Sequence, residues 1–294
     1  MTHMGKNKAE TDIPALTRQT LDSVRIPAST RSKEEAWNLL VQKIERQKAP
    51  EPVKSLSLLG WKTAAIAASL LLVISFAYLK YSTVSHTTSR GQHISVWLPD
   101  GSEVTLNACS HIQYARYWFI NPRNVQLNGE AFFKVRKGST FTVTTPLHHR
   151  VEVVGTQFNV TARDSIFKIT CYEGKVKVIS HSGKSAILSK GNTTSIVGDS
   201  IIHHQNEVLP ASATPAWTTG EFYFETAPLQ IVMDELMRQY RVNIITNGFN
   251  PATRYYTGYF TNKDLKQALD WVTIPMNLKY TFLNDTTVNI YPAP

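Results

Sequence analysis

The pair Gly155–Thr156 is the first candidate for unusual chemistry in this sequence. It interrupts the run VEVVGTQFNV, in which strand-forming residues otherwise come in near alternation. Such a break has three interpretations: a bulge, a close backbone approach, or a chemically special peptide bond. All three need strands on either side to hold the pair in place, so the surrounding elements must decide between them.

Other reactive side chains form no recognisable catalytic or metal-binding pattern. Histidines are adjacent at His148–His149 and His203–His204, but neighbours in a strand or loop point in different directions and rarely bind one metal. Cys109 and Cys171 lie in no CxxC pair, and whether they form a disulfide stays open. The sequence has no HExxH, P-loop, GxGxxG or GxSxG motif, so we expect no enzyme activity, no cofactor and no metal. The carboxylates near turn signals are better explained as turn or solvent-exposed groups than as an acid–base pair: Asp100, Glu103, Glu130 and Glu173.

The formal net charge of +9 does not by itself indicate a nucleic-acid-binding protein. Lysines and arginines are spread over the 294 residues, and local clusters such as Lys134, Arg136 and Lys137 are small. A diffuse excess suits a protein beside an anionic membrane better than a sequence-specific DNA-binding protein. With 42% hydrophobic and 18% charged residues, the composition is typical of a folded chain, long enough for two domains.

An uncharged run from Thr63 to Leu79 predicts a transmembrane helix over residues 61–81. Aromatic residues stand at both ends of the run, as they do at membrane interfaces: Trp61, Tyr78 and Tyr81. Basic residues crowd the amino-terminal side at Lys43, Arg46, Lys48, Lys54 and Lys62, whereas the other side has only Lys80 before Arg90. The positive-inside rule then places the amino terminus in the cytoplasm and the carboxy terminus outside.

Residues 1–60 are predicted to be a partly flexible cytoplasmic segment with one short helix. Ser32 and Glu35 form a capping box, and apolar residues follow at helical spacing on one face: Trp37, Leu40, Val41 and Ile44. An isolated helix of this length is marginal in water, so its apolar face needs a partner. The hypotheses are a groove on a cytoplasmic protein, with Trp37 as the central contact, or the membrane surface, or a minimal helical bundle.

After residue 81 the sequence pattern changes twice, first to short alternating β runs and then to mixed helix and strand patterns. Residues 82–90 are predicted to be a linker, and 91–202 an all-β domain of short alternating runs with turn signals at 99–102 and Asn128–Gly129. A second linker is expected at 203–220. Residues 221–294 are predicted to be a β-α-β-β-α-β module whose second helix starts at Thr261, with a capping box to Asp264. The predicted fold class is thus a bitopic membrane protein with a short α-helical cytoplasmic segment, one transmembrane helix, an all-β domain and a small α+β (βαββαβ) C-terminal domain.

Several multi-residue runs in the β region resemble the FecR family of transmembrane anti-sigma factors, in the same order and spacing. They extend from Gln92 to Ile179: LPDGSEVTLNACSHIQY, RNVQLNGEAFFKV, FTV, VEVVGTQFNV and YEGKVKV. The run AWTTGEFYFETAPLQIVMDELMRQYRVNI is similar to the carboxy-terminal part of such proteins, itself similar to the secretin/TonB short N-terminal domain. The cytoplasmic match is limited to EEAWNLLVQKI, and Cys109 stands where the family usually has a small residue.

This resemblance implies a signalling pathway in the bacterial inner membrane. The cytoplasmic segment would bind an extracytoplasmic-function sigma factor, here through Trp37, Leu40, Val41 and Ile44. The periplasmic part would receive a signal from the amino-terminal domain of a TonB-dependent outer-membrane transducer, as in the regulation of iron or glycan uptake. Site-1 type and intramembrane proteases would then release the sigma factor.

Two alternatives remain beside that pathway. Some relatives cut themselves at a Gly-Thr bond, which implies a self-cleavage at Gly155–Thr156 with the threonine hydroxyl attacking the preceding carbonyl. The sequence shows neither a strained peptide nor a proton acceptor there, so we favour a bulge or close packing. The other alternative is a periplasmic glycan-binding protein with an aromatic stacking platform made of Trp97, Tyr114, Tyr117 and Trp118.

Overall fold

The computed structural model describes residues 31–47, 58–163, 166–204 and 214–294. The described residues divide into two units, one up to Ala68 and one from Ser69 onward. The prediction of a flexible stretch over the first thirty residues, and half of the predicted linker at 203–220, lie outside the described residues.

The first helix, α1, spans Lys33–Gln47 and begins where the capping box predicts. The Glu35 amide N–H donates to Ser32 Oγ at 3.2 Å, and the Ser32 N–H donates to the Glu35 carboxylate at 3.3 Å. These two bonds satisfy backbone donors that the first turn of a helix leaves unpaired. The capping box at Ser32 is therefore confirmed.

The second helix, α2, spans Leu58–Tyr81. Its segment Gly60–Tyr81 is long and apolar enough to cross a membrane, with a mean hydropathy of 1.8, and none of it is buried in the protein. A helix that is apolar around its whole circumference and uncovered by protein is what a lipid environment favours. The predicted span of 61–81 lies within this helix.

Thirteen strands follow α2 and form one continuous hydrogen-bonded system, here called the β domain. Their bounds are β1 Thr83–Thr87, β2 Ile94–Trp97, β3 Glu103–Leu106, β4 His111–Ala115, β5 Arg123–Lys134, β6 Phe141–Thr144, β7 Arg150–Val153, β8 Gln157–Arg163, β9 Ile166–Glu173, β10 Lys175–Ile179, β11 Ser185–Ser189, β12 Thr193–Val197 and β13 Ser200–His204. The predicted linker at 82–90 is thus wrong in part, because β1 lies in it and pairs with β4.

The long strand β5 belongs to two sheets. Its first half pairs with β4 and β6, and its second half pairs with β3 and β8. Gly129, at the change of sheet, has φ +116°, and a Cβ there would lie 2.6 Å from Ser110. The sequence predicted a turn at Asn128–Gly129, but this glycine bends a continuous strand without reversing it. The two sheets enclose a core of Val, Leu, Ile and Phe side chains that includes Phe133, Phe141 and Phe158.

The C-terminal module has the order β-α-β-β-α-β-β, one strand more than predicted. Its elements are β14 Glu221–Pro228, α3 Leu229–Tyr240, β15 Asn243–Thr246, β16 Tyr255–Thr261, α4 Leu265–Thr273, β17 Leu278–Asn284 and β18 Thr287–Pro292. Strands β14 and β16 form one small sheet, and β15, β18 and β17 form another. The second helix begins later than predicted, because Asp264 is itself the N-cap and accepts from the Gln267 N–H at 3.0 Å.

The end of the predicted second linker is also structured. Residues Ala216–Thr219 form a 3₁₀ turn, and Trp217 in this turn is buried. Trp217 belongs to a second hydrophobic core that the C-terminal module shares with the outer face of the β domain. The linker prediction is therefore wrong for this stretch, because its one large aromatic residue has a partner that lies far away in the sequence.

Candidate functional site

Helix α1 presents an uncovered apolar face. The four residues predicted to bind a partner are all exposed, by 67% at Trp37, 53% at Leu40, 37% at Val41 and 45% at Ile44. They recur at spacings of three and four residues, so one stripe along the helix carries them. No residue of α1 is buried. The stripe has the pattern of a helix that packs into a groove, although its role in binding stays a prediction.

The pair Gly155–Thr156 lies between β7 and β8, packed against the segment that follows β5. A Cβ at Gly155 would lie 2.5 Å from Cγ and 2.9 Å from Cα of Lys137. Thr156 is 4% exposed, and its hydroxyl donates to the Lys175 carbonyl at 3.1 Å. In the part of the chain that the structure describes, no carboxylate or imidazole accepts from this hydroxyl. The close backbone approach at Gly155 is confirmed, and self-cleavage stays a hypothesis.

A bulge lies beside the same pair, on the neighbouring strand β9. Gln157 pairs with Glu173, but the next residue, Phe158, pairs with Cys171, so Tyr172 is left over. The Tyr172 ring contacts Phe132 of β5 edge to face, with centroids 5.6 Å apart. The bulge therefore directs an aromatic side chain away from the interior of the β domain and toward the C-terminal module.

The junction between the β domain and the C-terminal module combines an apolar contact with a network of buried hydrogen bonds. Two consecutive phenylalanines of β5 point to opposite sides of the sheet: Phe133 enters the interior of the β domain, and Phe132 enters the second core. There Phe132 and Tyr172 share a cluster with Trp217 and with buried residues of the module, among them Phe222, Leu229, Met233 and Phe260. The module thus covers apolar side chains that the β domain would otherwise expose.

A buried polar network surrounds this apolar contact, with Glu130 at its centre. The Glu130 carboxylate accepts from Asn107 Nδ2 at 2.8 Å, Asn159 Nδ2 at 2.9 Å and Thr161 Oγ1 at 3.0 Å. Arg163, 8% exposed, lies with Nη2 3.6 Å from the same carboxylate. The sequence predicted a turn or solvent-exposed role for Glu130. That prediction is wrong, because β8 and the residue that follows β3 bring donors to the carboxylate, and the Glu130 side chain is only 14% exposed.

Two side chains from outside the β domain, one in the C-terminal module and one in the 3₁₀ turn before it, complete the network. Gln239 on α3 donates from Nε2 to Asn107 Oδ1 at 2.9 Å, and its Oε1 lies 3.1 Å from His93 Nε2. Trp217 donates from Nε1 to Asn159 Oδ1 at 3.1 Å. Both asparagines also donate to Glu130, so a continuous series of hydrogen bonds runs from the module into the centre of the β domain.

Glu235, one turn before Gln239 on α3, places a buried charge at this junction. Burial disfavours its ionised form, but the guanidinium groups of Arg238 and Arg163 and hydrogen bonds from Gln239 and Arg238 outweigh that effect, so the pKa of Glu235 is lowered. Arg238 makes a 2.9 Å ion pair with Glu235. Arg163 of the β domain and Arg238 of the module both stabilise the ionised Glu235. The buried carboxylate is therefore low in energy only when the module is docked correctly on the β domain.

Backbone contacts tie the two parts together where β1 ends. The Gly91 N–H donates to the Arg238 carbonyl at 2.7 Å, and Arg241 Nε donates to the Arg90 carbonyl at 2.6 Å. Arg90 in turn donates from Nη1 to Asn243 Oδ1 at 2.9 Å. The short connection after β1 is therefore part of the junction, although no local sequence pattern predicts this.

The remaining predicted candidates are scattered. His149 is buried while His148 is exposed, and no cluster of potential metal ligands occurs among the described residues. Cys109 and Cys171 are both free, and burial raises the pKa of the Cys171 thiol to about 11. Of the proposed aromatic platform, Tyr114 and Trp118 pack together at 6.1 Å against the interior of the β domain, whereas Trp97 is 70% exposed. These four aromatic residues form no flat shared surface.

Sequence reasoning missed Asn107, Glu130, Asn159, Trp217 and Gln239 as members of one site. One signal could have pointed to it. The run AFFKV places two phenylalanines in succession in a strand, and alternation then requires an apolar partner on both faces of the sheet. That partner is the C-terminal module.

Comparison with known proteins gives the same division of the chain. The FecR protein family model matches residues 84–177, and the model of the FecR C-terminal region matches residues 221–290. Two crystal structures of a proposed anti-sigma factor from Parabacteroides distasonis ATCC 8503, at 2.50 and 1.65 Å resolution, each superpose with a TM-score of 0.65 at 26% identity, covering 72% of this chain and 100% of theirs. No curated protein matches the chain. The chain belongs to the FecR family of anti-sigma factors.

Proposed function

We propose that the chain sequesters an extracytoplasmic-function sigma factor at the cytoplasmic face of the inner membrane and releases it on a periplasmic signal. The observation that carries the proposal is the uncovered apolar stripe of α1, in which Trp37 is 67% exposed. A stripe of this kind buries its surface in a groove of a partner, and a covered sigma factor cannot bind RNA polymerase. The family supports a regulator of sigma factors, and the excess of lysine and arginine before α2 supports a cytoplasmic α1.

Co-purification tests this proposal. The tagged full-length chain, expressed in a bacterium that carries its own sigma factors, is solubilised in mild detergent, and the proteins that co-purify are identified by mass spectrometry. We expect a sigma factor in the eluate of the intact chain and its loss when Trp37 and Ile44 are both changed to alanine. If the double variant retains the sigma factor, α1 is not the binding element.

We propose further that the C-terminal module docks the amino-terminal domain of a TonB-dependent transducer. Three tyrosines support a docking surface on the β14–β16 sheet: Tyr223 is 61% exposed, Tyr255 61% and Tyr259 46%. Rings of Tyr223 and Tyr259 stack at 5.7 Å, while Phe222 and Phe260 on the opposite face are buried. Exposed tyrosines over a rigid sheet are frequent in protein interfaces.

The junction determines how this docking must be tested. Removal of residues 221–294 would uncover Phe132 and Tyr172, so a loss of binding would not separate docking from misfolding. Substitution of Tyr223 and Tyr255 by serine leaves the buried face intact, whereas the Tyr259 ring also contacts Trp271 at 4.9 Å. We expect this double variant to lose binding to the transducer domain in pull-down while it keeps the thermal stability of the native chain. Unchanged binding would exclude this face of the module. After docking, site-1 type and intramembrane proteases would cut the chain and free the sigma factor.

A further inference from the structure

The loop 116–122 lies at the membrane end of the β domain. It follows β4, and β4 pairs with β1 in the register Thr83↔Ala115. Arg116 therefore stands opposite Ser82, the residue that separates α2 from β1, and the Arg116 N–H donates to the Ser82 carbonyl at 2.9 Å. Strand register, rather than a side-chain rotamer, fixes this proximity.

Three further contacts hold the loop in place. Lys80 in the last turn of α2 donates from Nζ to the Ile120 carbonyl at 3.3 Å. Asn121 Nδ2 closes the turn by donating to the Tyr117 carbonyl at 2.9 Å. Trp118 packs edge to face on Phe141 at 5.8 Å, against the interior of the β domain. The loop is thus attached both to the helix and to the core.

Phe119 projects from this attached loop. It is 77% exposed, more than any other large apolar side chain that the structure describes outside α2. Its ring contacts Tyr117 at 5.8 Å. An exposed phenylalanine ring forgoes most of the hydrophobic free energy that its burial would provide. The neighbouring Trp118 is half-buried, so the loop directs one aromatic ring inward and the next outward.

The position of the loop along the membrane normal follows from the length of the apolar run in α2. Residues 63–79 rise about 26 Å as a helix, close to the roughly 30 Å of bilayer hydrocarbon. Lys80 and Tyr81 then lie at the headgroup level, and so does the loop that Lys80 bonds. Aromatic side chains are enriched at this depth, and an exposed Arg116 beside them suits lipid phosphates.

We infer that loop 116–122 is a second membrane contact, in which Phe119 inserts into the interface of the leaflet that adjoins the end of α2. The occupant of this apolar surface is the phospholipid bilayer, because the loop is hydrogen-bonded to a helix that crosses it. With two attachment points the β domain cannot pivot freely about Ser82, and its orientation to the membrane is fixed. The inference requires α2 to span the bilayer and does not depend on sigma-factor binding.

Spin-label depth measurement on the full-length chain tests this inference. In a Cys109→Ser background the buried Cys171 stays unlabelled, and a nitroxide is attached in turn through Phe119→Cys, Leu72→Cys and Ile245→Cys. Leu72 lies in the middle of α2 and is 71% exposed, so it reports the bilayer. Ile245 is 45% exposed on β15, whose first residue, Asn243, contacts Arg90 beyond the far end of β1, so it reports water. The chain is reconstituted at low density in vesicles of phosphatidylethanolamine and phosphatidylglycerol.

We expect the label at 119 to show a several-fold higher ratio of oxygen to nickel-chelate accessibility than the label at 245, at a depth between the headgroups and that of Leu72. Equal ratios at 119 and 245 would place Phe119 in water and overturn the inference. Low accessibility to both reagents at 119 would also overturn it, because a protein surface or a second copy would then cover the loop. If the label at position 72 reports water, α2 does not span the bilayer and the inference is overturned. Co-purification of the sigma factor is a separate measurement, so failure of this inference and failure of the proposed function can be distinguished.

Discussion

The side-chain amide of Gln239 donates a hydrogen bond to Asn107 Oδ1 at 2.9 Å, although 132 residues separate the two in the chain. Both side chains are buried, and each has a further partner: Gln239 donates to Glu235 Oε1 at 2.7 Å, and Asn107 donates to Glu130. This contact joins helix α3 of the C-terminal module to the centre of the β domain. Under the proposed function, a signal at the module would reach the β domain through this contact.

Replacement of Gln239 by alanine is expected to weaken the junction. Asn107 Oδ1 keeps its contact with the Ala108 N–H but loses the amide from α3, and Glu235 loses one donor. Loss of one partner of a buried hydrogen bond costs about 1–3 kcal/mol. Chemical unfolding of the full chain in detergent measures the change. Gln230→Ala is the matched control, because Gln230 on the same helix bonds only within it, to Asp234, and a small effect is expected there.

The apolar stripe of α1 is expected to contain the main contacts with the sigma factor. Trp37→Ala should raise the dissociation constant roughly 30-fold, equivalent to about 2 kcal/mol for a central aromatic contact. Titration calorimetry or fluorescence anisotropy with the co-purified sigma factor measures the effect. Leu39→Ala is the control, because Leu39 is 50% exposed but lies about 200° around the helix from Trp37. Equal losses in both variants would contradict a one-sided groove.

Gly155→Ala is expected to destabilise the β domain by about 1–3 kcal/mol. The added methyl group would lie 2.5 Å from Lys137 Cγ and 2.9 Å from the Lys137 Cα, and the second contact is with backbone, which cannot move aside easily. Thermal unfolding monitored by circular dichroism measures the change. The adjacent Val154→Ala, at a side chain that is 61% exposed, should change stability little. A Gly155→Ala variant as stable as the native chain would show that the backbone approach is not tight.

Intact mass analysis of the same samples addresses self-cleavage. The Thr156 hydroxyl donates to a backbone carbonyl, which is a poor proton acceptor, so we expect the native chain to remain intact. A fragment that begins with Thr156 and disappears in Thr156→Val but persists in Thr156→Ser would instead establish cleavage at this bond.

His149 is expected to make the β domain less stable at mildly acidic pH. Burial, and after it the neighbouring His181, lower the pKa of His149 below 6.5, while Asp199 acts in the opposite direction. The geometry agrees, because Nδ1 accepts a hydrogen bond from the His181 N–H at 3.1 Å and must be unprotonated to do so. The unfolded chain then binds the proton first. Stability is therefore full above about pH 6.5 and falls as the pH drops toward the folded pKa.

Unfolding midpoints between pH 7 and pH 5 measure this dependence. His149→Asn keeps an oxygen that can accept from the His181 N–H but cannot titrate, so the fall with pH should become shallower. His148→Asn is the control, since His148 is exposed and has φ +59°, which asparagine tolerates. If His149→Asn leaves the pH dependence unchanged, another group is responsible for it.

The positions of local elements follow from the sequence. The capping box at Ser32, the uncharged run before Lys80 and the alternation along strands such as β3 and β6 are patterns within a few residues, and the structure contains each of them. Errors occurred where one local signal serves two structures. Asn-Gly is a common hairpin turn, but Asn128–Gly129 bends the continuous strand β5. Asp264 was expected to be the second residue of a capping box that starts at Thr261, but it is itself the N-cap of α4.

The sequence by itself determined the order of the parts: an amphipathic helix, an apolar helix, a β domain and an α+β module, with a family resemblance that the comparisons confirm. Only the tertiary structure decided that Glu130 is the centre of a buried network and that Trp217 and Gln239 reach it. The physical reason is that hydrophobic periodicity specifies which face of an element is covered but not by what. Beside Tyr172, the residues that pack in the same core as Phe132 lie more than eighty residues further along the chain, and packing, not local pattern, selects them.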